Sequence, residues 1–177
     1  MKKHVLIFGS ISGLIVSGLM VISMSMCMAP GSTFENGMIY GYAGMILAFS
    51  MIFVGIKNFR DKHNGGFISF GKAFMIGLYI SLIASTMYVI TWMVDNYFFL
   101  PDFGDKYAEF MVAQAKKDGA TDAEIATKTA EMAKFIEMYK NPFFKAMMTY
   151  LEILPIGLLA SLIAAAIFKK KPSVAEA

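Results

Sequence analysis

The sequence predicts an all-α polytopic membrane protein, a four-transmembrane-helix bundle with an extracytoplasmic helical hairpin between spans 3 and 4. The chain of 177 residues is 57% hydrophobic and 16% charged, whereas soluble domains contain about 45–50% apolar and about 25% charged residues. Four apolar runs each approach the roughly 20 residues that a spanning helix needs. One long polar segment separates the last two runs. These three observations predict a single membrane domain over residues 1–177.

The four predicted spans cover residues 5–28, 38–56, 73–94 and 146–168. The first run follows Lys2 and Lys3, and its roughly 24 residues reach about 36 Å as a helix, enough for a hydrocarbon core of about 30 Å. This start also suits a cleaved signal peptide, whose apolar region has about 7–15 residues. Because the run is longer than that and Pro30 follows its only small-residue end, we expect an uncleaved anchor.

The basic residues predict the orientation of the spans. Short loops on the cytoplasmic side of membrane proteins are enriched in Lys and Arg. Nine of the sixteen basic residues flank the spans on one side, namely Lys2, Lys3, Lys57, Arg60, Lys62, Lys72, Lys169, Lys170 and Lys171. We therefore expect both termini in the cytoplasm and residues 95–145 outside it. Aromatic side chains near the outer span ends are expected in the headgroup layer; they are Tyr88, Trp92, Tyr97 and Tyr150.

Residues 95–145 are predicted to form two helices. Thr121 followed by Glu124 matches a capping box, which marks a helix start, and Glu124 could also pair with Lys128 one turn later. Apolar residues at helical spacing give each helix one stripe: Phe103, Tyr107, Phe110 and Met111 in the first, and Ile125, Met132, Ile136 and Tyr139 in the second. The stripes could pack on each other and on the span ends, or contact a partner or ligand.

Glu152 is the one ionisable residue well inside a predicted span. Pro155 follows three residues later, and a proline inside a helix removes a backbone donor and favours a kink. A carboxylate in a membrane is costly and is a functional-site hypothesis by default. Three roles stay open: a proton, ion or substrate site, pairing with another subunit, or a structural hydrogen bond. The candidate site and hydrogen-bond partners are Glu152, Pro155, Thr149, Thr91 and Tyr88.

Small residues recur at every fourth position of the spans. In lipid such faces let helix backbones approach closely, and this packing drives association. The predicted helix-packing residues are Gly9, Gly13, Gly77, Ser81, Gly157 and Ser161. Because every span carries the pattern, packing within one bundle is the simplest interpretation.

Other residue patterns give no further site. Met20, Met24 and Met28 form a stripe near Cys27, and sulfur ligands suit Cu(I), but methionine is also a flexible apolar filler. His4 and His63 lie far apart in sequence, so we expect headgroup or solvent contact for both. No phosphate-binding, dinucleotide or nucleophile–base motif occurs, and no basic face suits a nucleic acid. We therefore expect no catalytic residues, no metal and no cofactor.

Two longer stretches carry a family resemblance. The sequence "GGFISFGKAFMIGL" leads into span 3, and "TYLEILPIGLLASLIAAAIFKKK" ends the chain's apolar part. With the lysine-led first span and the charged helical loop, the chain resembles a bacterial family of small four-span membrane proteins of unknown function, commonest in the Bacteroidetes. The resemblance implies a Gram-negative cytoplasmic (inner) membrane location and no assigned activity.

Two functional hypotheses follow from the sequence. The first is a non-enzymatic accessory or interaction subunit in the lipid bilayer, whose hairpin meets a membrane-protein partner or a second copy of the chain. The alternative is a small transporter or proton- or cation-coupled carrier that uses Glu152 beside the Pro155 kink. The alternative predicts a cavity that reaches Glu152 between the spans.

Overall fold

The computed structural model describes residues 1–28 and 34–171. Within these residues the chain forms six helices and no strand, which confirms the all-α class. The helices are α1 (Lys2–Cys27), α2 (Phe34–His63), α3 (Phe70–Phe98), α4 (Phe103–Lys117), α5 (Asp122–Tyr139) and α6 (Pro142–Phe168).

Four of the helices are long and apolar enough to cross a membrane, as the sequence predicts: α1, α3, α6 and the part of α2 over Ile39–His63. The helices extend beyond the apolar runs. Helix α2, for example, continues past residue 56 to His63 and carries Arg60 and Lys62 in its last turn. Cations at the end of a helix interact favourably with its dipole, so the helix need not stop where the apolar run stops.

Contacts between the long helices fix their order and direction. Helix α3 packs against α1 and α6, and α2 joins α1 to α6 on the other side. Helices α1 and α2 are antiparallel, because His4 Nε2 lies 2.7 Å from the carbonyl oxygen of Gly55 while Ser23 Oγ donates to the carbonyl of Gly37 at 3.4 Å. The ends of α2 and α6 and the starts of α1 and α3 therefore share one end of the molecule, called here the lysine end. The opposite end carries α4 and α5 and is called the hairpin end.

A seam of small residues joins α3 to α6 halfway along the helices. This glycine–serine seam consists of Gly77, Ser81, Gly157 and Ser161. A β-carbon added to Gly77 would lie 2.8 Å from the β-carbon of Ser161, and one added to Gly157 would lie 2.8 Å from Ser81 Oγ. The two serine hydroxyl oxygens are 3.1 Å apart. Two glycines and two serines thus allow a helix contact that larger side chains would prevent.

The lysine half of the molecule is closed around this seam. Ile52, Ile56, Ile76 and Ile80 are fully buried there, and Gly9 and Gly13 of α1 lie against Ile83 and Met87 of α3. At the lysine end, Ile68 and Lys170 exchange two backbone hydrogen bonds of 3.0 and 2.9 Å. The loop before α3 is therefore tied to the segment after α6.

The structure corrects the expectation for His4. Its side chain is buried, its Nε2 is in hydrogen-bonding distance of Gly55, and its ring centroid lies 5.4 Å from that of His63. Headgroup or solvent contact is thus wrong for His4, although His63 is exposed. The antiparallel pairing of α1 with α2 brings together two histidines that are distant in sequence.

Helices α4 and α5 form the predicted hairpin, and the capping box is present. The backbone N–H of Thr121 donates to Glu124 Oε2 at 2.8 Å, and the backbone N–H of Glu124 donates to Thr121 Oγ1 at 3.4 Å. These hydrogen bonds from Thr121 lower the pKa of Glu124. The expected pair of Glu124 with Lys128 is wrong: the cap holds the carboxylate, and Lys128 Nζ instead lies 3.8 Å from Glu131.

Candidate functional site

A partly enclosed cleft lies between the hairpin and the hairpin end of the spans. Its volume is about 290 Å³, close to the lower end of the roughly 300–1,000 Å³ of small-molecule pockets. All six helices contribute to its wall. The lining residues are Met20, Ser23, Met24, Cys27, Phe34, Gly37, Gly41, Tyr42, Tyr88, Trp92, Phe103, Tyr107, Phe135, Tyr139, Met148, Thr149 and Glu152.

The hairpin covers the cleft with its aromatic stripe. The ring of Phe103 in α4 lies 4.8 Å from that of Trp92 in α3 and 5.9 Å from that of Phe34 in α2. The ring of Phe110, two turns further along α4, lies 5.5 Å from Phe34. The aromatic stripe of α4 therefore packs on the ends of the spans, which is one of the alternatives that the sequence left open.

A hydrogen bond fastens α5 to the spans. Trp92 Nε1 donates to the hydroxyl oxygen of Tyr139 at 2.7 Å. Thr149 of α6 also belongs to the cleft wall, and its hydroxyl donates to the carbonyl of Lys145 at 2.9 Å. Tyr139 is thus an acceptor from α3.

Lys145 lies beside Tyr139 and outside the cleft wall. Its Nζ donates to Asn96 Oδ1 and is 5.0 Å from the ring centroid of Tyr139. The amide of Asn96 in turn donates to the carbonyl of Leu100 at 2.9 Å. Lys145 therefore already has a polar partner among the described residues.

Two aromatic residues are not where the sequence indicated. Trp92 and Tyr88 were expected in the headgroup layer, but they are buried, with 6% and 7% of their surface exposed. The prediction was wrong because the hairpin covers this end of α3. Tyr97, which lies beyond the covered part of α3, is 74% exposed as a headgroup position requires.

Glu152 faces the cleft, where its side chain is exposed. Within residues 1–28 and 34–171 it forms no ion pair or hydrogen bond. Its charge influences the pKa of two tyrosines of the hairpin, Tyr107 and Tyr139. Burial raises the pKa of Tyr107 and of Tyr139, and the charge of Glu152 raises both further. The two hydroxyls thus stay protonated at neutral pH and remain available as donors.

The structure brings together only part of the site predicted from the sequence. Glu152, Thr149 and Tyr88 line the cleft. Thr91 does not, and its hydroxyl donates to the carbonyl of Met87 in its own helix at 2.9 Å. Pro155 lies within α6, which stays helical on both sides of it, and borders a separate outward groove beside Leu151 and Leu158.

Sequence reasoning missed most of the cleft wall. Phe34, Tyr42, Phe135 and Met148 gave no signal of their own, because single apolar residues on a helix resemble core or lipid-facing positions. Part of the methionine stripe, Met20 and Met24, belongs to the wall, together with Cys27. In the part of the chain that the structure describes, no three His, Cys, Asp or Glu side chains come together to hold a metal ion.

The cleft therefore offers aromatic rings, thioethers and one carboxylate. Eight of its seventeen lining residues are aromatic, and none of those seventeen is Lys, Arg or His. Such a wall can bind an apolar body and place one polar or charged group of a ligand against Glu152.

Comparison with known proteins gives a family and no activity. Neither curated proteins nor solved structures provide a match to the chain. A family model described as a protein of unknown function, DUF4199, matches residues 7–170, which include α1 from residue 7 onward and all of α2 to α6. The chain belongs to the DUF4199 family.

Proposed function

We propose that this protein binds a small, largely apolar ligand in the cleft beneath the hairpin, with Glu152 as the polar contact. The observation that supports this function is the cleft itself, because it reaches Glu152, a carboxylate within the span formed by α6. Functional pockets are typically apolar and aromatic with a few polar groups that orient the ligand. The cleft has this composition, and its volume of about 290 Å³ suits a ligand of modest size.

The closed lysine half supports binding more than conduction. The four isoleucines and the glycine–serine seam fill the space between the helices below the cleft. A continuous path across the bundle would have to pass through these contacts. The protein is accordingly a ligand-binding membrane protein in this conformation, and transport would need the seam to open.

The proposal includes a location and an orientation. The protein resides in a bacterial cytoplasmic membrane with the lysine end inside, since nine cations lie at that end. The cleft then takes its ligand from the extracytoplasmic side or from the outer leaflet. An accessory or interaction subunit stays the rival hypothesis, and it would use other surfaces of the hairpin, because the aromatic stripe of α4 contacts Trp92 and Phe34 of the same chain.

Two glycines provide a matched test of this function. A β-carbon on Gly41, which lines the cleft, or on Gly18, which is exposed on α1, would meet no atom within 4 Å. Gly41→Phe should fill the cleft without straining the helices, whereas Gly18→Phe should point away from it. The probe is the neutral fluorophore N-phenyl-1-naphthylamine, and energy transfer to it from Trp92, the only tryptophan of the chain, reports binding in the cleft.

We expect saturable transfer for the wild-type protein and Gly18→Phe in lipid nanodiscs. Dye dissolved in the lipid adds a background that does not saturate and is equal in all three proteins. Gly41→Phe should weaken saturable binding by about tenfold or more, which corresponds to about 1.4 kcal/mol of binding free energy. Equal saturable binding in Gly41→Phe and the wild type would refute the proposed function.

A further inference from the structure

We infer that the ligand of the cleft is a small organic cation, an ammonium group carried on an apolar body. This inference rests on the proposed function and names its ligand class. Its basis is the combination of Glu152, a carboxylate with no hydrogen bond or ion pair to another described residue, and a wall in which eight of the seventeen described lining residues are aromatic.

The first argument is charge complementarity. Among the described lining residues, Glu152 is the only carboxylate and none is Lys, Arg or His. The nearest cation in the same helix, Lys145, lies two turns earlier, about 10.5 Å along the axis at 1.5 Å per residue, and donates to Asn96. The exposed carboxylate of Glu152 therefore faces the cleft with its charge open to a ligand. A cationic ligand supplies the counter-ion, and opposite charges attract more strongly near protein than in bulk water.

The second argument is the aromatic wall. The face of an aromatic ring attracts a cation, and several rings around one space form the usual binding site for quaternary ammonium groups. Tyr88, Trp92, Tyr107 and Tyr139 all line the same cleft as Glu152. The ring of Tyr139 already has one cation, Lys145 Nζ, 5.0 Å from its centroid. The polarisable sulfurs of Met20, Met24 and Met148 complete a surface suited to methyl groups.

Other ligand classes fit this wall less well. An anion would meet the carboxylate, and a neutral apolar molecule would bury it without a partner. A hard metal ion is bound mainly by carboxylate and carbonyl oxygens, whereas the described lining provides a single carboxylate side chain. An organic cation is the class that uses the carboxylate and the rings together.

The test compares two probes of nearly equal shape, benzyltrimethylammonium and its uncharged analogue neopentylbenzene. Each competes with N-phenyl-1-naphthylamine for the cleft of the full chain in nanodiscs of neutral lipid. We expect the cation to compete about tenfold better or more than the neutral analogue, in keeping with the strength of cation–π and charge contacts at desolvated sites. Glu152→Gln should remove most of this preference, because competition by the cation weakens when the carboxylate is lost.

A second acid controls for the general negative charge of the protein. Asp95 is buried in α3 and does not line the cleft, so Asp95→Asn should keep the preference for the cation. Equal competition by the two probes in the wild type, or equal loss of preference in both variants, overturns the inference. If the fluorophore binds saturably but the cation does not compete, the ligand class is wrong and the proposed function stands. If the fluorophore itself fails to bind saturably, both are wrong.

Discussion

The two halves of this helix bundle differ although the same four helices build both. In the lysine half, small residues at the seam let α3 and α6 touch, with the Ser81 and Ser161 oxygens 3.1 Å apart. In the hairpin half, the same two helices carry Tyr88, Trp92, Met148 and Glu152, and a cleft of about 290 Å³ opens between them and their neighbours. Side-chain size thus decides where the bundle closes.

The halves also differ in what completes them. The helices of the lysine half fill it by themselves, and the isoleucines at its centre are fully buried. The hairpin half depends on α4 and α5, which lie outside the spans. They are attached by ring contacts and by the hydrogen bond that Trp92 donates to Tyr139. A bundle can therefore hold a rigid base and a covered binding site along one set of helices.

The largest effect is expected from a side chain placed in the seam. Gly157→Leu puts a β-carbon 2.8 Å from Ser81 Oγ and 2.9 Å from Phe49 Cζ, and Phe49 is itself buried. Overpacking of this kind destabilises a protein by about 1–3 kcal/mol. The midpoint of SDS-induced unfolding, followed by circular dichroism, should fall accordingly.

Gly18→Leu is the matched control for this prediction. It introduces the same side chain in a membrane-spanning helix, at a position with open space around the new β-carbon. Its stability should stay within about 0.5 kcal/mol of the wild type. Equal destabilisation by both substitutions would show that the seam is no tighter than the lipid-facing surface.

A more local effect is expected at the hairpin. Tyr139→Phe removes the acceptor of the Trp92 N–H, so a buried indole N–H loses its partner. Such a loss costs about 1–3 kcal/mol. Hydrogen exchange should become faster in α5 and stay unchanged in the lysine half.

Tyr107→Phe is the control for the hairpin variant. Tyr107 also lines the cleft, but its hydroxyl forms no hydrogen bond with another described residue. Exchange in α5 should therefore match the wild type. Faster exchange throughout α3 and α6 in Tyr139→Phe would contradict the separation of the two halves.

Much of the fold could be predicted because its signals are local. Apolar runs of sufficient length mark the four spans, and Thr121 with Glu124 marks the start of α5 by side chains three residues apart. The regular spacing of Gly77, Ser81, Gly157 and Ser161 likewise points to close helix contacts. Each of these inferences uses residues that are near each other in sequence.

The cleft could be predicted only in part, because six helices must meet to form it. Glu152 stood out since a carboxylate is rare within a span, but nothing in the sequence says that Phe34, Tyr42 and Phe135 approach it. The exposure of Trp92 was wrongly predicted for the same reason, since the hairpin that buries it begins after α3 ends. His4 and His63 lie far apart in sequence, and the packing of α1 on α2 brings their rings close together.

The most direct test of the difference between the two halves is the quenching of Trp92 by acrylamide, a neutral, water-soluble quencher, in lipid nanodiscs. Trp92 is the only tryptophan of the chain and lines the cleft, although only 6% of its surface is exposed. If the cleft is an accessible space, acrylamide should quench the wild type and Gly18→Phe equally, and quenching should fall clearly in Gly41→Phe. Identical quenching in all three proteins would contradict an open cleft beneath the hairpin.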